Sequence, residues 1–97
     1  MKIENLVNAR VNKVANQFKI AAKNKTYFQS YNSVVASIDK TTGKVELYQD
    51  WDYSNTTRKH LYQFLGEYGY KELNNKKAVE AAIKQGKVAY IEDSPSI

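Results

Sequence analysis

The chain has 97 residues, 42% hydrophobic and 26% charged, with 8 Tyr, 3 Phe and 1 Trp. That is enough apolar material for one modest core and too much for a disordered chain, so a single domain over residues 1–97 is expected. There is no cysteine, which excludes disulfides and thiolate metal sites, and no apolar run approaches the roughly 18–20 residues of a membrane span. Fifteen Lys+Arg against ten Asp+Glu give a net charge of +5, a bias toward polyanions or acidic protein surfaces. Only Arg10 and Arg58 carry the guanidinium that bidentate phosphate contacts prefer.

The N-terminus Met1-Lys2-Ile3-Glu4-Asn5 lacks the apolar core of a signal peptide, so the cytoplasm is the expected compartment. Ile3, Leu6, Val7, Val11 and Val14 recur at three- and four-residue spacing and predict a helix over residues 2–13. Asn5, Asn8, Asn12 and Asn16 fall on another stripe of that helix, read as a solvated polar face, although Asn is a weak helix former.

From Gln17 the period changes to alternation. Gln17–Ala22 and Thr26–Tyr31, separated by Lys23-Asn24-Lys25, predict a first hairpin; the competing reading extends the opening helix through Ala22. Tyr31-Asn32-Ser33 is expected to bend or bulge the second strand before Val34–Ile38 continues it. Asp39–Lys44 predicts a second hairpin loop with Gly43 supplying a positive φ, followed by a strand over Val45–Asp50. On that strand Val45 and Leu47 share one face, while Glu46, Tyr48 and Asp50 share the other.

Ser54, Asn55 and Thr56 are competent N-caps, and Leu61, Phe64, Leu65 and Tyr68 have the spacing of one buried stripe, so a helix is predicted from about Asn55 to Gly66. Asn74 or Asn75 caps a further helix through about Gln85, with Val79, Ala82 and Ile83 inward and Gly86 ending it. Lys87–Glu92 alternates as a closing strand, and residues 93–97 are expected to fray. The elements add up to an α+β fold: one antiparallel sheet of about four to five strands with two or three helices on one face.

With one His and no Cys, no zinc set is available, and the glycines at 43, 66, 69 and 86 sit at turns and helix ends rather than in a phosphate-cradling loop. Neither a cofactor nor a metal is expected. His60 with Ser54 or Thr57 and Asp50 or Asp52 forms a triad on paper only, since no nucleophile elbow or oxyanion hole accompanies it; His60 is expected on the exposed side of its helix. Asp50 and Asp52 would share a face if the strand continued, but Asp52 is better read as bracing the incoming helix.

Two candidate surfaces remain. Tyr48-Gln49-Asp50-Trp51-Asp52-Tyr53-Ser54 concentrates aromatic and acidic side chains between a strand and a helix, and large aromatics serve equally as core anchors and as binding platforms. Tyr48, Trp51, Asp52, Tyr53, Arg58, His60 and Tyr62 are therefore the candidate partner-binding residues, drawn from a wider set that includes Tyr27, Tyr31 and Tyr70. Lys71, Lys76, Lys77, Lys84 and Lys87 form the candidate nucleic-acid patch, against the plainer reading of a solvated face with a Lys76–Glu80 pair.

Val14–Phe18, Phe28-Gln29-Ser30-Tyr31-Asn32-Ser33 and Trp51–Lys59 with Leu61–Leu65 together resemble a family of small uncharacterised proteins from bacteriophages and related mobile elements, over most of residues 8–86. Val11 stands where that pattern has Gly. The resemblance transfers no active-site residues; it implies a phage or prophage product in a bacterial cytoplasm. The expected function is a non-enzymatic, stoichiometric inhibitor of a host protein or nucleoprotein complex, such as the anti-defence (anti-CRISPR) class. A direct DNA- or RNA-binding accessory protein is the alternative, and a small enzyme comes third. For the inhibitor, Trp51→Ala is expected to remove function and leave the fold intact.

Overall fold

The computed structural model describes residues 1–95, and alternation along the strands dictates most of it. The elements are β1 (Lys2–Val7), β2 (Lys13–Ala21), β3 (Lys25–Ser30), β4 (Ser33–Asp39), β5 (Val45–Tyr48), a 3-10 turn (Gln49–Asp52), α1 (Asn55–Glu67), α2 (Lys76–Lys84) and β6 (Ala89–Ile91). They form one six-stranded sheet in the order β1-β2-β3-β4-β5-β6. Neighbours are antiparallel from β1 to β5, whereas β6 lies parallel to β5. The α+β class is as expected, but the sheet is mixed and larger than four to five strands. β6 is parallel because the chain returns to it through both helices, the long crossover that a parallel neighbour needs.

The opening helix does not form. Ile3 is 63% exposed and Val11 78%, and of the residues that suggested an apolar stripe only Leu6 is fully buried. The segment pairs with β2 instead, Lys2 opposite Ala21 and Asn5 opposite Phe18. The asparagines make turn chemistry rather than a helix face. Asn8 Oδ1 accepts from the backbone N–H groups of Arg10 and Asn12, and Asn5 donates to the Val14 carbonyl.

Both expected hairpins form, with Gly43 at φ 76. Tyr31-Asn32 is a reversal rather than a bend within a strand: β3 ends at Ser30, β4 starts at Ser33, and the two pair antiparallel. Tyr31 takes a positive φ of 55 there, its N–H bonded to the Asn16 carbonyl and its own carbonyl to the Gln29 amide.

Ser54 and Asn75 cap α1 and α2, their side chains accepting from the N–H groups of Thr57 and Ala78. Both helices lie over the face that carries Phe28, Ala36, Val45 and Leu47, and the core joins these to Leu61, Phe64, Leu65, Val79 and Ala82. Phe28 and Phe64 stack at 5.5 Å between ring centroids. Ile83 is only partly buried at the edge of this core. Residues 93–95 carry no helix or strand, and the rest of the tail expected to fray lies outside the described residues.

The connectivity gives the molecule two distinct ends. The β2–β3 turn, the β4–β5 loop and the C-termini of α1 and α2 share one; the β3–β4 turn, the 3-10 turn and the N-termini of both helices share the other.

Candidate functional site

The end that holds the helix N-termini carries an open cleft of about 570 Å³ lined by Ser30, Tyr31, Asn32, Ser33, Val35, Asp50, Tyr53, Ser54, Thr56 and Thr57. It continues across Asn32, Ser33 and Asp50 into a second, more polar depression that reaches Gln29, Gln49 and Asp93. The β3–β4 reversal supplies one wall and the start of α1 the other. Their hydroxyls tie the walls together: Ser30 Oγ lies 2.9 Å from Thr57 Oγ1, Ser54 Oγ donates to Thr57 Oγ1, and Ser33 donates to Asp50 at 2.9 Å. Tyr31 and Tyr53, 46% and 76% exposed, carry the apolar surface at the cleft.

Of the residues expected to meet a partner, Tyr53 alone is freely exposed. Trp51 is 6% exposed and belongs to the core, so the expectation that Trp51→Ala spares the fold is corrected: a buried indole cannot be truncated without leaving a cavity. Tyr48 is also buried, on the face away from the helices. Its hydroxyl lies 2.8 Å from Ser37 Oγ and donates to Glu46, and burial raises its pKa above the usual tyrosine range. Tyr62 packs partly buried against the core, with its pKa likewise raised by burial.

His60 is buried rather than exposed, because the stripe Thr57, His60, Leu61, Phe64 turns it inward. Its Nδ1 lies 2.9 Å from the Thr56 carbonyl, which can only accept and therefore keeps a proton on Nδ1. The hydroxyls of Ser54 and Thr57 bond one another and Ser30, with no hydrogen bond to His60 among the described residues. Asp50 and Asp52 do not face one site. Asp50 belongs to the 3-10 turn rather than to β5 and turns to Ser33.

Asp52 turns to the helices, pairing with Arg58 of α1 and with Lys76 of α2 at 2.9 Å. Burial alone would raise the Asp52 pKa, but hydrogen bonds and charge from Lys76 and Arg58 outweigh it and hold it below the usual carboxylate value. Lys76 is raised by the same contact. A positive charge in the first turn of α2 opposes the helix dipole, and Asp52 is the group that offsets it. Lys76 pairs with Asp52 rather than with Glu80.

The candidate lysine patch divides. Lys76 and Lys77 stand at the start of α2, close to the cleft end, while Lys84 lies in its last turn, Lys87 lies past its far end and Lys71 lies beside the last turn of α1. The cleft hydroxyls were outside the expected partner-binding residues, and Tyr31 belonged only to the wider tyrosine set. The signal available for them was the hydroxyl- and amide-rich Gln29-Ser30-Tyr31-Asn32-Ser33, which turns out to face Ser54-Asn55-Thr56-Thr57.

Among the described residues no helix is long and apolar enough to cross a membrane. No curated protein and no solved structure matches the chain. Residues 1–81 match the model described as a family of unknown function, DUF8033, and the chain belongs to that family.

Proposed function

We propose that the protein is a non-enzymatic binding protein whose contact surface is the cleft between the β3–β4 reversal and the start of α1. The observation that carries this reading is the placement of two exposed tyrosines, Tyr31 and Tyr53, on one hydroxyl-lined cleft whose walls are cross-bonded. Rigid, exposed aromatics beside satisfied polar groups are the makings of a hot spot, because little entropy remains to be lost on binding. Tyr31 holds a left-handed backbone, a conformation that an L-residue keeps only when its surroundings enforce it. The partner we propose is a host protein or nucleoprotein complex in a bacterial cytoplasm, occluded stoichiometrically by a phage or mobile-element product. The phage-like sequence segments include both walls of this cleft, Phe28–Ser33 and Trp51–Lys59.

The test is capture from bacterial lysate on immobilised protein, with and without nuclease, followed by titration of the purified partner. A one-to-one plateau that survives nuclease, and a loss of affinity of about thirtyfold in a Tyr53→Ala variant with an unchanged melting temperature, is the expected result. Retention of full affinity in that variant would remove the cleft from the interface. Capture that vanishes with nuclease would move the function to direct nucleic-acid binding.

A further inference from the structure

The opposite end of the molecule is chemically different. The β2–β3 turn and the β4–β5 loop are joined there by a hydrogen bond from Lys40 N–H to the Asn24 carbonyl at 2.9 Å. The segment after α1 is fastened to the same loop by the Tyr70 hydroxyl, which donates to the Gly43 carbonyl. Because β6 is parallel to β5, the α2–β6 connection returns to this end as well. Lys23, Lys40, Lys44, Lys71, Lys84 and Lys87 are gathered here, all exposed and none in an ion pair among the described residues. Lys84 lies in the last turn of α2, where a cation suits the helix dipole. Lys23, Lys40 and Lys44 lie on strand connections, and no helix dipole accounts for them.

At the same end lies a hollow of about 280 Å³ lined by Thr26, Ile38, Asp39, Lys40, Gly43, Tyr68 and Tyr70. Its one carboxylate, Asp39, already accepts the N–H groups of Thr41 and Thr42. Tyr68 is partly exposed, and its ring is supported by Phe64 at 5.2 Å between centroids. An aromatic-walled hollow lined by Lys40, at the end where the other lysines are gathered, matches a base stacked beside a phosphate backbone. Lysine charges without guanidinium forks suit contacts that neutralise phosphates without reading sequence.

We infer that this lysine-rich end binds single-stranded nucleic acid, the backbone following the lysines and a base entering the Tyr68–Tyr70 hollow. The inference goes beyond the cleft reading and does not rest on it, since the two surfaces lie at opposite ends.

The experiment is fluorescence anisotropy of the whole chain with a labelled oligothymidine of about 15 nucleotides and with a duplex of equal length, between about 50 and 200 mM salt. The single strand is expected to bind about tenfold tighter than the duplex, its affinity falling with log salt by about 0.7 per phosphate contacted. Lys40→Glu with Lys44→Glu should weaken binding at least about tenfold and flatten the salt slope, while Lys13→Glu with Lys59→Glu, at the other end, should change it less than about twofold. Tyr68→Ala should weaken the single strand about tenfold with little effect on the duplex. Equal losses from both lysine pairs, a preference for duplex, or no binding at the lowest salt would overturn the inference.

Discussion

Gln17 is the side chain whose chemistry fits its surroundings least. It is fully buried in β2 opposite Ser30, and neither its amide nitrogen nor its amide oxygen has a hydrogen-bond partner. The Ser30 hydroxyl, the obvious candidate, is engaged with Thr57. An unmet buried amide costs about 1–3 kcal/mol, and Leu of similar volume removes that cost. Gln17→Leu is therefore expected to raise the urea midpoint, by about 1 kcal/mol of stability at an unchanged denaturant slope. A fall would show that an internal water satisfies the amide. Trp51 and Tyr53 illustrate the same scale differently. Two aromatics two residues apart share a face in a strand, but a 3-10 turn has three residues per turn and separates them, so one enters the core and the other faces solvent. Nothing in the residue types distinguishes them; the backbone conformation does.

The first 14 residues carry a helical apolar period and yet form no helix. Apolar spacing matched a helical period, yet Asn8 and Asn12 bond one another across the β1–β2 connection, and Asn16, inside β2, is left-handed at φ 63, each incompatible with a continuous helix. Val11 sits in that connection at φ 62, which also accounts for the Gly in the pattern this segment resembles: only Gly adopts that conformation without strain. A left-handed L-residue costs about 1–2 kcal/mol and a β-branched one at least as much, against about 0.5–1 kcal/mol for the extra freedom Gly brings to the unfolded chain. Val11 is exposed, so its side chain gives up little contact. Val11→Gly should accordingly stabilise the protein by roughly 0.5–1 kcal/mol in thermal or urea unfolding. Destabilisation would place β1 pairing at risk from a looser connection.

Across the whole molecule, the face of the sheet without helices is held by polar bonds as well as by apolar contact. Lys25 reaches Glu46 at 2.6 Å, and Ser37 and Tyr48 complete the group. The hydrogen bond from Lys25 lowers the Glu46 pKa from 4.5 despite burial, and Asp52 is also lowered from 3.8. Carboxylates depressed in the folded state contribute fully above their unfolded values and lose that contribution as pH falls through the folded ones. Lys25, raised from 10.5, contributes below that value and loses its share only at higher pH. Stability should therefore decline as pH drops below about 4.5, and Glu46→Gln should lower stability at pH 7 while making its decline toward pH 3 shallower. An unchanged acid slope in urea melts would show that Glu46 carries none of it.

What the sequence by itself determined was local: the alternation of the two hairpins, the positive φ of Gly43, helix starts narrowed to Ser54–Thr56 and to Asn74 or Asn75, and the inward positions Leu61, Phe64, Leu65, Val79 and Ala82, whereas Tyr68, expected on the same buried stripe, is exposed. These depend on neighbours a few residues away, and such neighbours are what a linear pattern records. The tertiary structure decided the parallel sixth strand, the inward turn of His60, the burial of Trp51, the facing of Phe28–Ser33 with Trp51–Lys59 and the sorting of lysines to one end. Each depends on where distant segments meet. That is settled by the packing of both helices on one sheet face and by the crossover they form, which no period of two or 3.6 residues encodes.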